Sequence, residues 1–453
     1  MARQRVRVVK GSCWPCKKRR VKCDLEKPGC QRCSQAGTPC NYNTHLIRWS
    51  NRPSVSVEPV KVEGYQKHDF QITTCLFDRE QRALAYFHVR VWPLLSTAPD
   101  PPAPFLENRV ILLATCVFAA THRYLQEGQG KELITPARSD CIVALRLQVQ
   151  DCSKQGRKTL LSLLLAVLLL YIHDGLVEGS AESATATHHA GAMAILKQLG
   201  GITSILGTCH DSMSMMLSEF ASADLTTALL QQSTPAFAAE TWDMIDLGPV
   251  WWARDPLKRC SLAAVFREMS SMATYLSTIQ LGIDELSTDR VREFEASLGL
   301  IIDDADGINP LFLDLGSLQP SHGDIPPEEA FLMIQVFQQS ALVFLYRAIC
   351  GMAPNHPLVQ QHVEACLDSL ENLGHNSSIL HCIIFPLYVC GAHAMEPKRQ
   401  LAVARLVEVI YDSMRFASVR AIGNALRDVW RYENEDSTWS EMFQYLSPSV
   451  IVL

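Results

Sequence analysis

Six cysteines near the start of this 453-residue chain constrain it most strongly. The second three repeat the spacing of the first three 17 positions later, so the stretch is an internal duplication of C-x2-C-x6-C. Six thiolates with no histidine among them suit a soft tetrahedral ion such as zinc. Two such ions need eight ligand bonds, which six sulfurs supply only if two of them bridge both metals. The spacing therefore predicts a binuclear cluster of two Zn²⁺ ions, and its candidate ligands are Cys13, Cys16, Cys23, Cys30, Cys33 and Cys40.

The two halves of the duplication differ in charge. The first half continues after its second cysteine as K-K-R-R-V-K, whereas the second half continues as S-Q-A-G-T-P. A cluster of two zinc ions and six thiolates carries about −2, and nearby cations steady it, but five cations exceed that need. The first half is therefore predicted to meet phosphate. The candidate DNA-binding residues are Lys17, Lys18, Arg19, Arg20 and Lys22.

The cysteine spacing, the basic run and the loop Lys27-Pro28-Gly29 resemble the binuclear zinc cluster DNA-binding domain of fungal transcription factors of the galactose-regulator type. The resemblance implies that Cys13 and Cys30 bridge the two metals. It also implies that a short helix after the second cysteine enters the major groove of double-stranded DNA and reads a CGG-type triplet. By matching position, Arg19 and Arg20 would contact bases, and the three lysines of the run would mainly contact phosphates.

The alternative is a disulfide-linked secreted domain, which the first residues disfavour. No apolar signal segment precedes residue 11, and the arm 1–11 carries four basic residues instead. The arm and the basic run 17–22 are both candidate nuclear import signals, so the nucleus is the predicted location.

Charge divides the chain into a basic head and an acidic body. Residues 1–50 hold 12 Lys/Arg against 2 Asp/Glu, which leaves 29 against 45 for the remainder. We expect a basic arm at 1–11, a zinc cluster domain at 12–42, a proline-broken linker at 43–74 and a regulatory body at 75–453. The linker contains no heptad pattern, so it predicts no coiled coil. Leu46–Ser50 resembles a short tail of one family branch. This tail either packs on the cluster or on the DNA backbone, or Trp49 only anchors the linker.

Beyond residue 75 the apolar pattern is helical throughout, so the predicted fold is mostly α, a small zinc module followed by a large all-α domain. The longest apolar run, 160–172, is too short to span a bilayer and predicts a buried core helix. The segments 170–174, 188–201 and 220–237 resemble the fungal-specific regulatory domain of the arginine-regulator branch. The tail 430–445 is either an acidic activation segment or, as we favour, part of the folded body.

No motif in the chain predicts an active site, so we expect no enzyme. The adjacent pair His188 and His189 cannot ligate one metal from a helix face in the usual way. The sequence predicts a nuclear, zinc-dependent, sequence-specific transcription factor acting with the transcription machinery, with a homodimer or heterodimer through the body. By resemblance it would regulate a metabolic pathway or a biosynthetic gene cluster. The alternative function is a helical scaffold or ligand sensor whose zinc module grips nucleic acid without sequence choice.

Overall fold

A computed structural model describes residues 12–19, 21–27, 29–38, 40, 78–95, 108–151, 156–180, 183–208, 211–247, 261–306, 326–371, 373, 377 and 379–453. The chain forms two compact units, residues 1–70 and residues 71–453. The predicted arm 1–11, the linker 43–74 and the tail Leu46–Ser50 lie outside the described residues, so those boundaries stay predictions.

The first unit contains two short helices, α1 (Trp14–Arg19) and α2 (Gln31–Ser34). They begin at positions 17 residues apart, so the duplication of the sequence is also a duplication of structure. The resemblance implied a helix after Cys16, but α1 begins two residues before it. Each helix therefore contains the second cysteine of its half: Cys16 lies in α1 and Cys33 lies in α2.

All the regular secondary structure that is described in the second unit is helical, which confirms the predicted fold class. Its helices are α3 (Asp78–Tyr86), α4 (Trp92–Leu95), α5 (Arg109–Glu127), α6 (Lys131–Asp151), α7 (Arg157–Ile172), α8 (Thr185–Gln198), α9 (Thr203–Leu206), α10 (Asp211–Gln231), α11 (Thr241–Leu247), α12 (Leu262–Gln280), α13 (Thr288–Asp306), α14 (Pro327–Phe344), α15 (Pro357–Glu371), α16 (Ile384–Ala392), α17 (Pro397–Met414), α18 (Ala417–Tyr432) and α19 (Trp439–Phe443). Single π-helical turns, Phe87–Val91, His173–Glu178 and Leu345–Ile349, follow α3, α7 and α14.

Helix α7 is the central helix of this unit and packs against α5 and α8. Every residue from Leu163 to Ile172 is buried, as the apolar run predicted. The segments Arg157–Glu178 and Glu328–Ile349 are long and apolar enough to cross a bilayer, but the body already buries 83% and 78% of an apolar 18-residue window in each. Their apolar side chains are thus accounted for by packing in a protein core.

The C-terminal residues close the body. The Ile451 amide donates to the Gly175 carbonyl at 3.0 Å, and the Phe385 amide donates to the Leu453 carbonyl at 2.9 Å. A Cβ on Gly175 would lie 2.3 Å from the Ile451 side chain, so only glycine allows this approach. Trp439 is buried and donates from Nε1 to the Leu229 carbonyl at 3.0 Å. The aromatic tail is therefore part of the folded body, which confirms the structural interpretation.

Local sequence signals do not mark every helix end in the body. Proline usually ends a helix, but helical structure continues past Pro93 to Leu95. The preceding π-helical turn is wider than an α-turn, and it accommodates the proline ring without ending the helix. Thr187 is a residue type that often caps a helix, yet it lies inside α8. Arg415 ends α17 in the left-handed conformation, just before α18 begins, although neither glycine nor proline marks this break.

One buried carboxylate joins three elements of the body. Asp174 has no exposed surface, and its Oδ2 accepts from Arg138 at 2.9 Å and lies 3.3 Å from His188 Nε2. Its Oδ1 lies 2.7 Å from His173 Nδ1, and the Ala184 amide also donates to Oδ2. Burial raises the pKa of Asp174, but the hydrogen bonds of the two histidines and the charge of Arg138 outweigh burial and hold the pKa well below its usual value. The carboxylate is therefore ionised and ties α6 and α8 to the end of α7.

Arg347 is a buried cation that contacts no carboxylate in the described part of the chain. The Arg347 guanidinium donates to His393 Nε2 at 3.0 Å and to the carbonyls of Met352 and Ser437. Burial lowers the pKa of Arg347 to about 10. Burial, together with the charge of Arg347, lowers the pKa of His393 to about 3, so this imidazole is neutral and accepts the hydrogen bond. The contact joins α14, α16 and α19 through neutral acceptors.

Removing the charge of Asp174 should destabilise the body. Asp174→Asn leaves the Arg138 guanidinium facing a neutral amide, and breaking a buried pair in this way costs about 3 kcal/mol. The pKa of Asp174 is lower in the folded than in the unfolded chain, so its stabilisation is present above about pH 4 and is lost as the pH falls. Urea denaturation at pH 7 should show the loss, and the gap to the parent chain should narrow in acid.

A matched control is Asp140→Asn, whose carboxylate pairs with Arg79 while both side chains are more than half exposed. An exposed pair contributes little, so this variant should stay within about 0.5 kcal/mol of the parent. Equal losses for the two variants would contradict the role assigned to Asp174.

Candidate metal centre and nucleic-acid interface

The first unit gathers all six cysteine sulfurs around one point. Cys13 Sγ lies 3.6 Å from Cys30 Sγ and 3.5 Å from Cys33 Sγ. Cys16 Sγ lies 3.6 Å from Cys30 Sγ, and Cys23 Sγ lies 3.8 Å from Cys13 Sγ. Five of the six cysteines are buried, and Cys40 is partly buried. Among the described residues of this unit, the six cysteine side chains form the hydrophobic core.

The sulfurs fall into two sets of four. Cys13, Cys16, Cys23 and Cys30 have sulfurs within 4.8 Å of one another, and so have Cys13, Cys30, Cys33 and Cys40. The sets share Cys13 and Cys30, the two residues that the resemblance implied as bridging. Four sulfurs around each centre form a tetrahedral thiolate donor set, so the residues present fit two zinc ions. When bound, zinc would supply the link that holds the two halves together.

Backbone amides support the sulfurs. The Cys33 amide donates to Cys30 Sγ at 3.4 Å, and the Cys30 amide donates to Cys40 Sγ at 3.3 Å. Burial raises the pKa of the Cys33 thiol to about 12, so without a metal this thiol holds its proton at neutral pH. Zinc must displace such protons, and its affinity for the module therefore falls in acid.

A carboxylate beside the cluster is occupied by backbone amides. Asp24 accepts from the Glu26 amide at 3.1 Å and from the Arg32 amide at 3.2 Å. Desolvation raises the pKa of Asp24, but these hydrogen bonds outweigh it and lower the pKa below its usual value. Asp24 is exposed and anchors the loop before Cys30 through these two hydrogen bonds to backbone amides.

The basic run begins on α1. Lys22 is exposed, whereas the side chains of Lys17 and Lys18 and the whole of Arg20 lie outside the described part of the structure. The Arg19 guanidinium lies beside the cluster, with Nη2 3.5 Å from Cys33 Sγ and 3.2 Å from the Arg32 carbonyl oxygen. Sequence reasoning missed this contact, because spacing along the chain does not indicate which way a side chain turns. The predicted DNA contacts of the whole run stay predictions.

A further group of possible metal ligands lies in the body, formed by His173, Asp174 and Glu178. Arg138 already donates to both carboxylates, at 2.9 Å to Asp174 and 2.6 Å to Glu178. A cation at this position would meet the guanidinium charge, so the group is better explained as an ion-pair network. The adjacent histidines His188 and His189, which were not expected to share a metal, each contact a separate carboxylate, Asp174 and Asp224.

The geometry defines a thiolate zinc module with a basic first half, attached to a helical body. Comparison with known families agrees with both parts. Residues 11–50 match the fungal Zn(2)-Cys(6) binuclear cluster domain, and residues 65–451 match the fungal specific transcription factor domain. The chain therefore belongs to the family of fungal specific transcription factor domain proteins that carry a binuclear zinc cluster. The predicted cofactor, two zinc ions, is confirmed by this match.

A similar curated protein is Arginine metabolism regulation protein II of Saccharomyces cerevisiae (strain ATCC 204508 / S288c), which is 50% identical over 38 residues. The match covers 8% of this chain and 4% of that protein. No solved structure matches the chain significantly.

Metal analysis should find two zinc ions per chain. Because Cys13 belongs to both sulfur sets and Cys16 to one, Cys13→Ala should disturb both ions, whereas Cys16→Ala should mainly release one. Structural zinc contributes on the order of 10 kcal/mol to folding, so a strong chelator should unfold residues 12–40. Native mass spectrometry of the full chain measures the stoichiometry directly. One zinc in the parent chain, or equal losses from the two variants, would contradict the shared-sulfur arrangement.

Proposed function

We propose that this chain is a nuclear, sequence-specific DNA-binding regulator of transcription by RNA polymerase II, and that its zinc module reads DNA. The observation that carries the proposal is the gathering of six sulfurs into two sets that share Cys13 and Cys30, in a module whose basic run lies in one half only. A rigid cluster can hold a short basic helix in a fixed orientation, which base readout requires.

The charge distribution supports DNA binding by the first unit and a regulatory role for the second. Residues 1–50 have a large excess of Lys and Arg, whereas the remainder is acidic. Phosphate contacts therefore belong to the head, and the body serves regulation and assembly. The helical body has no proposed catalytic role.

The proposed DNA target contains CGG-type triplets. We propose that Arg20 reads base edges, while Lys17, Lys18 and Lys22 meet phosphates; the contacts of the Arg19 guanidinium favour a different role for that residue. One cluster contacts only about three base pairs, too few to locate a genomic site. A second module is therefore needed, supplied through residues 75–453 by another copy of the chain or by a partner regulator.

Substitutions in the basic run should separate base readout from phosphate binding. Arg20→Ala should cost roughly 1–3 kcal/mol on the preferred site and flatten base preference. Lys17→Ala should weaken all sequences alike and lower the slope of log affinity against log salt by about 1. Fluorescence anisotropy of the full chain, on DNA carrying no, one or two triplets, measures these effects.

The same titrations test the proposal itself. A regulator should hold its paired triplets in the presence of excess random DNA, with a large specificity ratio. If excess random DNA displaces the parent chain from every probe, the result would instead favour a helical scaffold or sensor whose zinc module binds nucleic acid non-specifically. Equal effects of the two substitutions on specific and random DNA would refute the residue assignment.

A further inference from the structure

Arg19 is exposed, yet its guanidinium contacts both halves of the zinc module. Its Nη2 lies 3.5 Å from Cys33 Sγ, 4.0 Å from Cys16 Sγ and 3.2 Å from the Arg32 carbonyl oxygen. Its Nε donates to the Pro15 carbonyl at 3.4 Å, one helical turn back. The guanidinium thus joins α1 of the first half to α2 of the second.

The two sulfurs that the Arg19 guanidinium approaches belong to different four-sulfur sets. Cys16 belongs to one four-sulfur set only, and Cys33 belongs to the other only. They are also equivalent positions of the duplication, 17 residues apart. A single guanidinium therefore faces one unshared ligand of each metal. The residue equivalent to Arg19 in the second half is Ala36, so the duplication supplies no second arginine at the matching place.

Chemistry favours an arginine at this position. A cluster of two zinc ions and six thiolates carries about −2, and N–H donors to anionic ligands form charge-assisted hydrogen bonds. Groups that hold metal ligands from outside fix their orientation and raise metal affinity. A planar guanidinium can meet two sulfurs and a carbonyl with its fork of donors, whereas a lysine ammonium is a single point charge.

We propose that Arg19 is a positioning residue of the zinc cluster. It orients Cys16 and Cys33, offsets part of the thiolate charge and couples the two halves of the module. Its role is then independent of whether the chain reads DNA. This assignment replaces the prediction of a base contact for Arg19 and leaves readout to its neighbour Arg20.

The test is the rate at which the full chain loses zinc to a colorimetric chelator. Arg19→Ala should release zinc roughly ten-fold faster than the parent, within the range found when outer contacts to metal ligands are removed. Arg19→Lys should fall between the two, because it keeps the charge but not the fork. Arg32→Ala is the matched control: it removes a cation from the same module but keeps the backbone carbonyl that Arg19 contacts, so its release rate should stay within about two-fold of the parent.

A spectroscopic readout separates this role from DNA binding. With cobalt(II) in place of zinc, the thiolate-to-cobalt bands should shift in Arg19→Ala and not in Arg32→Ala, with no DNA present. If Arg19→Ala does not fold, the comparison of Arg19→Lys with Arg32→Ala decides. Unchanged zinc release and cobalt spectra in the Arg19 variants, with or without weakened binding to CGG-containing DNA, would overturn the proposal.

Discussion

The sharing of two sulfurs between two four-sulfur sets is the constraint on which the first unit depends. Cys13 and Cys30 each begin one half of the duplication, and both belong to both sets. Neither half alone offers four cysteines, so neither can complete a tetrahedral site. In the described residues of this unit the core consists of cysteines, which is too little apolar surface to drive folding by burial alone. Metal binding and the joining of the halves are therefore one event, and it fixes the helix that carries the basic residues.

The body, in contrast, has a large apolar core, and few charged side chains are buried within its described part. Asp174 and Arg347 are the informative exceptions, since both are almost fully buried. The carboxylate is surrounded by donors from α6, from α8 and from its own π-helical turn, whereas the guanidinium is surrounded by neutral acceptors. Each lies beside a π-helical turn or within one, where a long helix changes its pitch. Such turns direct side chains away from the regular helical face, which brings these polar groups to neighbouring helices.

Much of this arrangement is predictable from the sequence, and the reasons are local. The cluster follows from cysteine spacing, since metal geometry admits few solutions for six thiolates. The central helix α7 follows from its unbroken apolar run. The π-helical turns do not follow, because they arise where tertiary packing outweighs the regular backbone pattern, as at Pro93. The direction of the Arg19 side chain does not follow either, since it depends on how the second half folds back on the first.

The most direct test of the account is specific DNA binding by the full chain before and after zinc is removed by a chelator. The account predicts that binding to paired CGG-type triplets is lost and returns when zinc is restored, while far-ultraviolet circular dichroism, dominated by the helical body, barely changes. Specific binding that persists in the zinc-free chain would contradict the claim that the cluster organises the DNA-reading surface.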